Sequence, residues 1–204
     1  MKPKIVVFDL GKVLLDFDYR IAARRIAARS RCDWPTVQKF LDHSPLLYAY
    51  ETGLMTRQQF YAAACKEMGF AGTLDEFSAF FTDIFWPIEP MVALHAELQS
   101  KRIPTYIFSN TNDLAMEHIN RNFPFMKNFN AHILSYEVGA MKPAAKIYEV
   151  LERLSGCRGA EVLYLDDRQE NVDAGAARGW QVILQTTPEQ SRAMMAELGL
   201  VNHA

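Results

Sequence analysis

Ile5-Val6-Val7-Phe8-Asp9-Leu10-Gly11 is the stretch on which the reading of the fold turns. Its first four residues are apolar, three of them β-branched, and none alternates with a polar neighbour. Such a run is too short for a helix and fits a strand covered on both faces, as in a parallel sheet. An aspartate closes the run. In open parallel sheets the ligand crevice lies outside the carboxyl ends of the strands, so Asp9 stands where chemistry is expected.

Outward from this stretch, the runs at 105–108, 132–134, 162–165 and 182–184 have the same character. Helical patterns lie between them. Glu89-Pro90 opens one, with Met91, Leu94 and Leu98 on a stripe. Pro143 sits where a first helical residue belongs, ahead of Ile147, Val150, Leu151 and Leu154, with Gly156 as the stop. Val172 and Ala176 lead to Gly179, and Thr187-Pro188 opens a last helix ending near Gly199. Strands alternating with helices predict an α/β fold, a Rossmann-like doubly wound parallel sheet. The alternation breaks from about residue 19 to 85, where helix patterns run on without a convincing strand. Ile21, Ala22, Ile26 and Ala27 share one face, and Thr56 with Gln59 resembles a capping box ahead of Phe60 and Ala64. Too long for one crossover, this stretch reads as a small all-helical cap inserted after the first strand. The expected division is an α/β core of residues 1–17 and 87–204 and a helical cap of residues 18–86.

Composition sets the outer limits. The chain has 204 residues, 50% apolar and 23% charged, which suits a globular core rather than disorder. A formal net charge of -2 does not point to nucleic acid or an anionic membrane as partner. Cys32, Cys65 and Cys157 are odd in number, far apart and without a CxxC pair, so neither a disulfide framework nor a zinc site is expected. The run Ile5–Phe8 is too short for a signal-peptide core, and no stretch approaches the roughly 20 apolar residues that span a bilayer. The expectation is a cytoplasmic monomer or homodimer.

Four polar clusters fall at strand ends or a helix start: Asp9 with Gly11, Ser109-Asn110, Lys142, and Asp166-Asp167. Together they hold a carboxylate nucleophile, a hydroxyl donor, a cation and metal-binding carboxylates. Phosphoryl transfer needs that set, because its peripheral oxygens carry charge that must be neutralised and held. Magnesium prefers a few carboxylates, retained waters and a phosphate oxygen. Asp9 and Asp167, with the Gly11 carbonyl, are the candidate ligands for Mg2+. Lys142, before Pro143 at a helix start, would add positive charge for an anion. Ser109 would bind a phosphoryl oxygen, and Asp9 would attack phosphorus to give an aspartyl-phosphate.

In their order along the chain, Phe8-Asp9-Leu10-Gly11-Lys12-Val13, Ser109-Asn110, Lys142-Pro143 and Asp166-Asp167 with Asn171 resemble the motifs of the haloacid dehalogenase superfamily. The resemblance covers nearly the whole chain, the helical insertion matching that family's cap. Asp9-Leu10-Gly11 followed by Asp16 and Asp18, Ser109-Asn110-Thr111-Asn112 and Tyr50-Glu51-Thr52-Gly53 look like the subgroup containing α-D-glucose-1-phosphate phosphatase. The resemblance implies Asp9 as nucleophile, Ser109 and Asn110 in the phosphate cradle, Lys142 as the orienting cation and Asp167 as a metal ligand. It implies a supporting role for Asp166 and at most an outer one for Asn171. The implied activity is magnesium-dependent hydrolysis of a small phosphorylated metabolite, such as a sugar phosphate. The alternatives are a metal-independent dehalogenase, in which Asp9 attacks carbon, and a catalytically weakened protein that only holds a phospho-ligand.

One position departs from the pattern. Most phosphatases of the superfamily carry an acid two residues after the nucleophile, and here that position is Gly11. Loss of general acid–base help costs about 10²–10⁴-fold, which favours substrates with good leaving groups or a proton from elsewhere. Lys12, with an ordinary amine, is a poor donor at neutral pH and is expected to be solvated or ion-paired. Asp16 and Asp18 are expected to bond within their turn or cap a helix rather than reach the leaving group. Tyr50, Glu51, His43 and Trp86 are candidates for choosing the substrate, with packing the simpler role for Tyr50 and Trp86. Met194-Met195 read as packing residues.

Overall fold

The computed structural model describes residues 1–202, apart from the side chain of His43. The chain begins with β1 (Ile5–Phe8) and β2 (Leu15–Phe17). Five helices follow: α1 (Tyr19–Ala27), α2 (Trp34–His43), α3 (Pro45–Glu51), α4 (Arg57–Met68) and α5 (Leu74–Thr82). Next come β3 (Phe85–Pro87), α6 (Glu89–Ser100), β4 (Thr105–Ser109), α7 (Asp113–Asn122), β5 (Ala131–Leu134) and α8 (Ser135–Val138). The chain closes with α9 (Ala145–Ser155), β6 (Val162–Asp166), α10 (Gln169–Ala177), β7 (Gln181–Leu184) and α11 (Pro188–Glu197).

The five expected strands form one parallel sheet in the order β5-β4-β1-β6-β7. β1 is central, and the order reverses about it. Val6 and Phe8 enter one apolar cluster, with Leu94 and Ile107, while Ile5 and Val7 enter the other, with Tyr148 and Trp180. Both faces of the strand are therefore dry, the reason its sequence shows no alternation. The fold is the doubly wound α/β sheet that the sequence predicts.

The helices α1 to α5 build an apolar cluster of their own around Phe60, whose ring stacks on Tyr50 with centroids 4.7 Å apart. Thr56 and Gln59 form the expected capping box, and Thr73 with Glu76 forms a second. Leu114 of α7 joins this cluster and ties the helical unit to the sheet's side of the molecule.

Two expectations need correction. The stretch read as free of strands ends in one: β3 pairs antiparallel with β2, Leu15 opposite Pro87 and Phe17 opposite Phe85. Three residues are too few to display a period, and Pro87 argues against a strand on sequence grounds. In this ribbon β2 ends at the expected junction 17/18, and β3 crosses the one at 86/87. The second correction concerns Pro143, which is not a first helical residue. The Lys142-Pro143 bond is cis, Ala144 N–H closes a turn onto the Met141 carbonyl at 2.9 Å, and α9 begins at Ala145. Position after an X-Pro turn and position at a helix start look alike in sequence. The three cysteines are unbridged, and among the described residues no helix is long and apolar enough to cross a membrane.

Candidate active site

Asp9 follows β1, and its N–H continues the ladder onto the Leu165 carbonyl at 2.9 Å. Its carboxylate Oδ1 accepts the Leu10 N–H at 2.7 Å and faces Lys142 Nζ at 2.8 Å. Lys142 Nζ also donates to Asp166 Oδ2 at 2.6 Å and to the Phe108 carbonyl at 2.8 Å, so its three protons each have an acceptor. The lysine is placed by Asn110, whose side-chain Oδ1 accepts the Lys142 N–H at 2.7 Å while Nδ2 donates to the Lys142 carbonyl at 3.0 Å. A helix end therefore does not position Lys142; an amide clamp from the end of β4 does. The side chain of Asn110, expected in the phosphate cradle, is committed to that clamp.

Asp166 is completely buried at the end of β6. Its carboxylate takes the Tyr164 hydroxyl, the Arg168 N–H at 2.8 Å, and Asn171 Nδ2 at 3.0 and 3.2 Å, besides Lys142. Asn171, on α10, thus bonds the acid that bonds the lysine. Asp9, Asp166 and Asp167 each offer a carboxylate oxygen within 4.8 Å of the others. Burial and the neighbouring Asp166 and Asp167 push the Asp9 carboxyl up to about 7, against the pull of Lys142. Burial and Asp166 raise Asp167 as well. Burial works against ionisation of Asp166 too, yet Lys142 and the donors around it win and hold it below the usual carboxylate range. Burial likewise opposes the charge on Lys142, and the two acids raise it.

This donor set fits a hard divalent cation. Both oxygens of Asp166 are used by protein donors, whereas the two contacts of Asp9 fall on Oδ1 alone. Asp9 and Asp167 are the carboxylates with acceptor capacity left, and like charges at this spacing call for a cation. Gly11 lies on the same rim. Ser109 is buried at the end of β4, and among the described residues its hydroxyl has only a long 3.4 Å contact to the Asn110 carbonyl.

A cavity of about 750 Å³ lies over these groups. Asp9, Gly11, Ser109, Asn110, Lys142, Asp167 and Asn171 line it, and Asp166 lies beneath. The opposite wall carries Arg20, Gln38, Asp42, Tyr48 and Glu51 from α1 to α3, and Arg168 borders it from the loop after β6. Of the candidates for choosing the substrate, Glu51 is on this wall. Tyr50 is buried, and its hydroxyl bonds Asp113 and takes the Leu114 N–H at 3.4 Å. Trp86 is 42% exposed and lies off the cavity. His43 lies outside the described side chains. Asp18 caps α1, pairs with Arg20 and is held below the usual range by it. Asp16 pairs with Lys12, whose Nζ also reaches the Phe17 carbonyl at 2.8 Å. Sequence reasoning missed Arg20, Gln38, Asp42, Tyr48 and Arg168. Only Arg168, directly after the acid pair, carried a signal.

Gly11 is packed as a glycine. A Cβ there would sit 2.8 Å from Cε1 of Phe17, whose ring contacts Tyr19 at 5.4 Å and Phe85 at 5.8 Å between centroids. The two sequence motifs that the strand-end chemistry leaves over also meet. Asp113, next after Ser109-Asn110-Thr111-Asn112, takes both the Tyr50 hydroxyl and Arg57 Nε, the latter at 2.5 Å, and Arg57 Nη1 reaches Glu117 at 2.9 Å.

A family model described as haloacid dehalogenase-like hydrolase matches residues 3–179. The chain is 23% identical over 204 residues to a D-ribitol-5-phosphate phosphatase of Bacteroides thetaiotaomicron, covering 97% of this chain and 98% of that protein. An enzyme of the family from B. thetaiotaomicron, solved with magnesium and inorganic phosphate, superposes with a TM-score of 0.78 at 22% identity, over 89% of this chain and 93% of that one. A family hydrolase from Porphyromonas gingivalis gives a TM-score of 0.81 at 20% identity, over 95% and 98%.

Proposed function

The chain belongs to the haloacid dehalogenase-like hydrolase family, and from that premise we propose that it is a magnesium-dependent phosphatase of a small sugar or polyol phosphate. One observation carries the reading. Asp9 presents a carboxylate at the open end of the sheet against a fully bonded lysine, beside a second carboxylate, Asp167, that forms no ion pair among the described residues. In the proposed reaction Asp9 attacks phosphorus in line with the leaving oxygen and forms an aspartyl-phosphate, which water then hydrolyses. Lys142 neutralises the phosphoryl oxygens, and the Ser109 hydroxyl, with little else to bond, donates to one of them. Magnesium held by Asp9, Asp167 and the Gly11 carbonyl would supply the remaining positive charge. Asp166, itself bonded by Asn171, holds Lys142 in place.

The acid pair disfavours a metal-independent dehalogenase, which has no use for two clustered carboxylates beside the nucleophile. The name of the B. thetaiotaomicron relative supports a polyol or sugar phosphate, and so does a wall rich in hydrogen-bonding groups. With Gly11 where an acid is usual, esters with good leaving groups, such as an anomeric oxygen, are favoured. The test is phosphate release from a panel of sugar and polyol phosphates and p-nitrophenyl phosphate, with magnesium or chelator. Magnesium-dependent turnover lost in Asp9→Asn upholds the reading; turnover that persists in Asp9→Asn or with chelator overturns it.

A further inference from the structure

The side of the cavity from which the usual acid would act is blocked. Phe17 fills the space that a side chain at position 11 would enter, and Tyr19, Phe85 and the Lys12 ammonium, 4.6 Å from the ring centroid, pack around it. That side offers the leaving group an aromatic edge and no carboxylic acid at position 11, and the Lys12 ammonium is spent on Asp16 and the Phe17 carbonyl. The remaining acids of the cavity lie elsewhere. Asp9 and Asp167 belong to the nucleophile and metal site. Asp18 is tied into the α1 cap with Arg20, and Asp42 of α2 lies on the same wall as Glu51, where its charge favours the protonated form of that residue. Glu51, last residue of α3, enters the cavity from the opposite wall. Its carboxyl interacts with the side-chain amide of Asn112, which caps α7 through Oδ1 onto the Ala115 N–H at 2.9 Å. Asn112 follows Ser109 by three residues, so the phosphate side of the site orients the acid.

We infer that Glu51 supplies the leaving-group proton that Gly11 cannot give; this rests on the phosphatase reading above. As the bond from Asp9 to phosphorus forms and the bond from phosphorus to the leaving oxygen breaks, that oxygen takes the Glu51 proton and departs as an alcohol. In the second step water attacks phosphorus and passes a proton back to Glu51. Asp9 leaves as carboxylate, and inorganic phosphate is the product. The groups that face Glu51 suit this cycle. Burial and Asp42 of α2 favour the protonated acid, and Asn112 and Arg168 favour the carboxylate; the balance pushes the carboxyl up to about 7.

The experiment compares wild type, Glu51→Gln and Asp9→Asn on two esters, a sugar or polyol phosphate with an alkyl leaving group and p-nitrophenyl phosphate, whose leaving group needs no proton. In Glu51→Gln we expect kcat on the alkyl ester to fall about 10²–10³-fold and to fall on the aryl ester at least 30-fold less. In wild type, kcat on the alkyl ester should decline as pH rises above about 7, and that limb should be missing in Glu51→Gln. An equal loss on both esters, or no loss on either, overturns the assignment while leaving the phosphatase reading in place. Absence of Asp9-dependent turnover on both esters in wild type overturns that reading, and the assignment with it.

Discussion

On the floor of the cavity the charges of Asp166 and Lys142 are held on every side. Asp166 takes Lys142, Tyr164, Asn171 and the Arg168 main chain, and Lys142 spends all three protons on buried acceptors. On the wall the side chains are less buried: Arg20 is exposed, though paired with Asp18, Tyr48 is 58% exposed, and Glu51 has the Asn112 amide, the Arg168 guanidinium and the Asp42 carboxylate around it. The floor hangs from strand ends laddered on both sides, where a displaced atom disturbs two neighbours. The wall hangs from short helices, where a side chain can change without moving a backbone. The difference teaches that the reaction and the choice of substrate are separable in this molecule, and that substitutions on the two surfaces differ in kind.

The sharpest way to break that comparison is to exchange one residue on each side. Asp9→Asn should lower phosphate release about 10³-fold or more with the fold intact by circular dichroism. Tyr48→Ala should instead change the ranking of substrates, with less than about tenfold loss on the best of them. If Tyr48→Ala proved as damaging as Asp9→Asn on every ester, floor and wall would not be separable.

Lys142→Met removes the cation between two buried acids, and should cost about 3–5 kcal/mol in urea unfolding at neutral pH. The sign with pH follows from Asp166. Its folded carboxyl lies below the usual range, so its stabilisation is present above that range and is lost as pH falls through the folded value. This acid limb should flatten in Lys142→Met. Magnesium sharpens the floor's side of the comparison. Without metal the Asp9 carboxyl stands at about 7, so protons and magnesium compete for it. Calorimetric affinity should fall by up to roughly tenfold per pH unit below that value and level off above it.

Gly11→Ala places a methyl against Phe17 and should cost about 1–3 kcal/mol. In a Phe17→Leu background the penalty should shrink; an equal penalty would mean that Phe17 is not what excludes a side chain. The smallest effect is expected at the tie between helical unit and core. Arg57 pairs with Asp113 and Glu117 but is partly exposed, so Arg57→Ala should cost about 1 kcal/mol or less and show mostly as a raised KM.

Much of this molecule can be read without coordinates. Ile5–Phe8 declares a strand buried on both faces because apolar runs have no other economical fate, and an acid directly after it marks the strand end. The five sheet strands, the capping box at Thr56 and the cluster of Asp9, Ser109, Lys142 and Asp167 were legible for this reason: each rests on a few consecutive residues and a local rule. Contacts between distant segments were not. Nothing in Leu15–Phe17 or Phe85–Pro87 announces that they pair, since each is three residues long. Nothing in Asn110 says that both ends of its amide clamp the main chain of Lys142, thirty-two residues on. The exclusion of a side chain at position 11 belongs to a ring six residues away, and the meeting of Glu51 with Asn112 to two elements sixty-one residues apart. Local sequence determines which groups stand at the strand ends, because backbone pairing and burial act residue by residue. Which of those groups are saturated, which keep a free oxygen and what faces them across the cavity was decided by tertiary packing, because hydrogen-bond satisfaction and desolvation depend on everything that surrounds an atom.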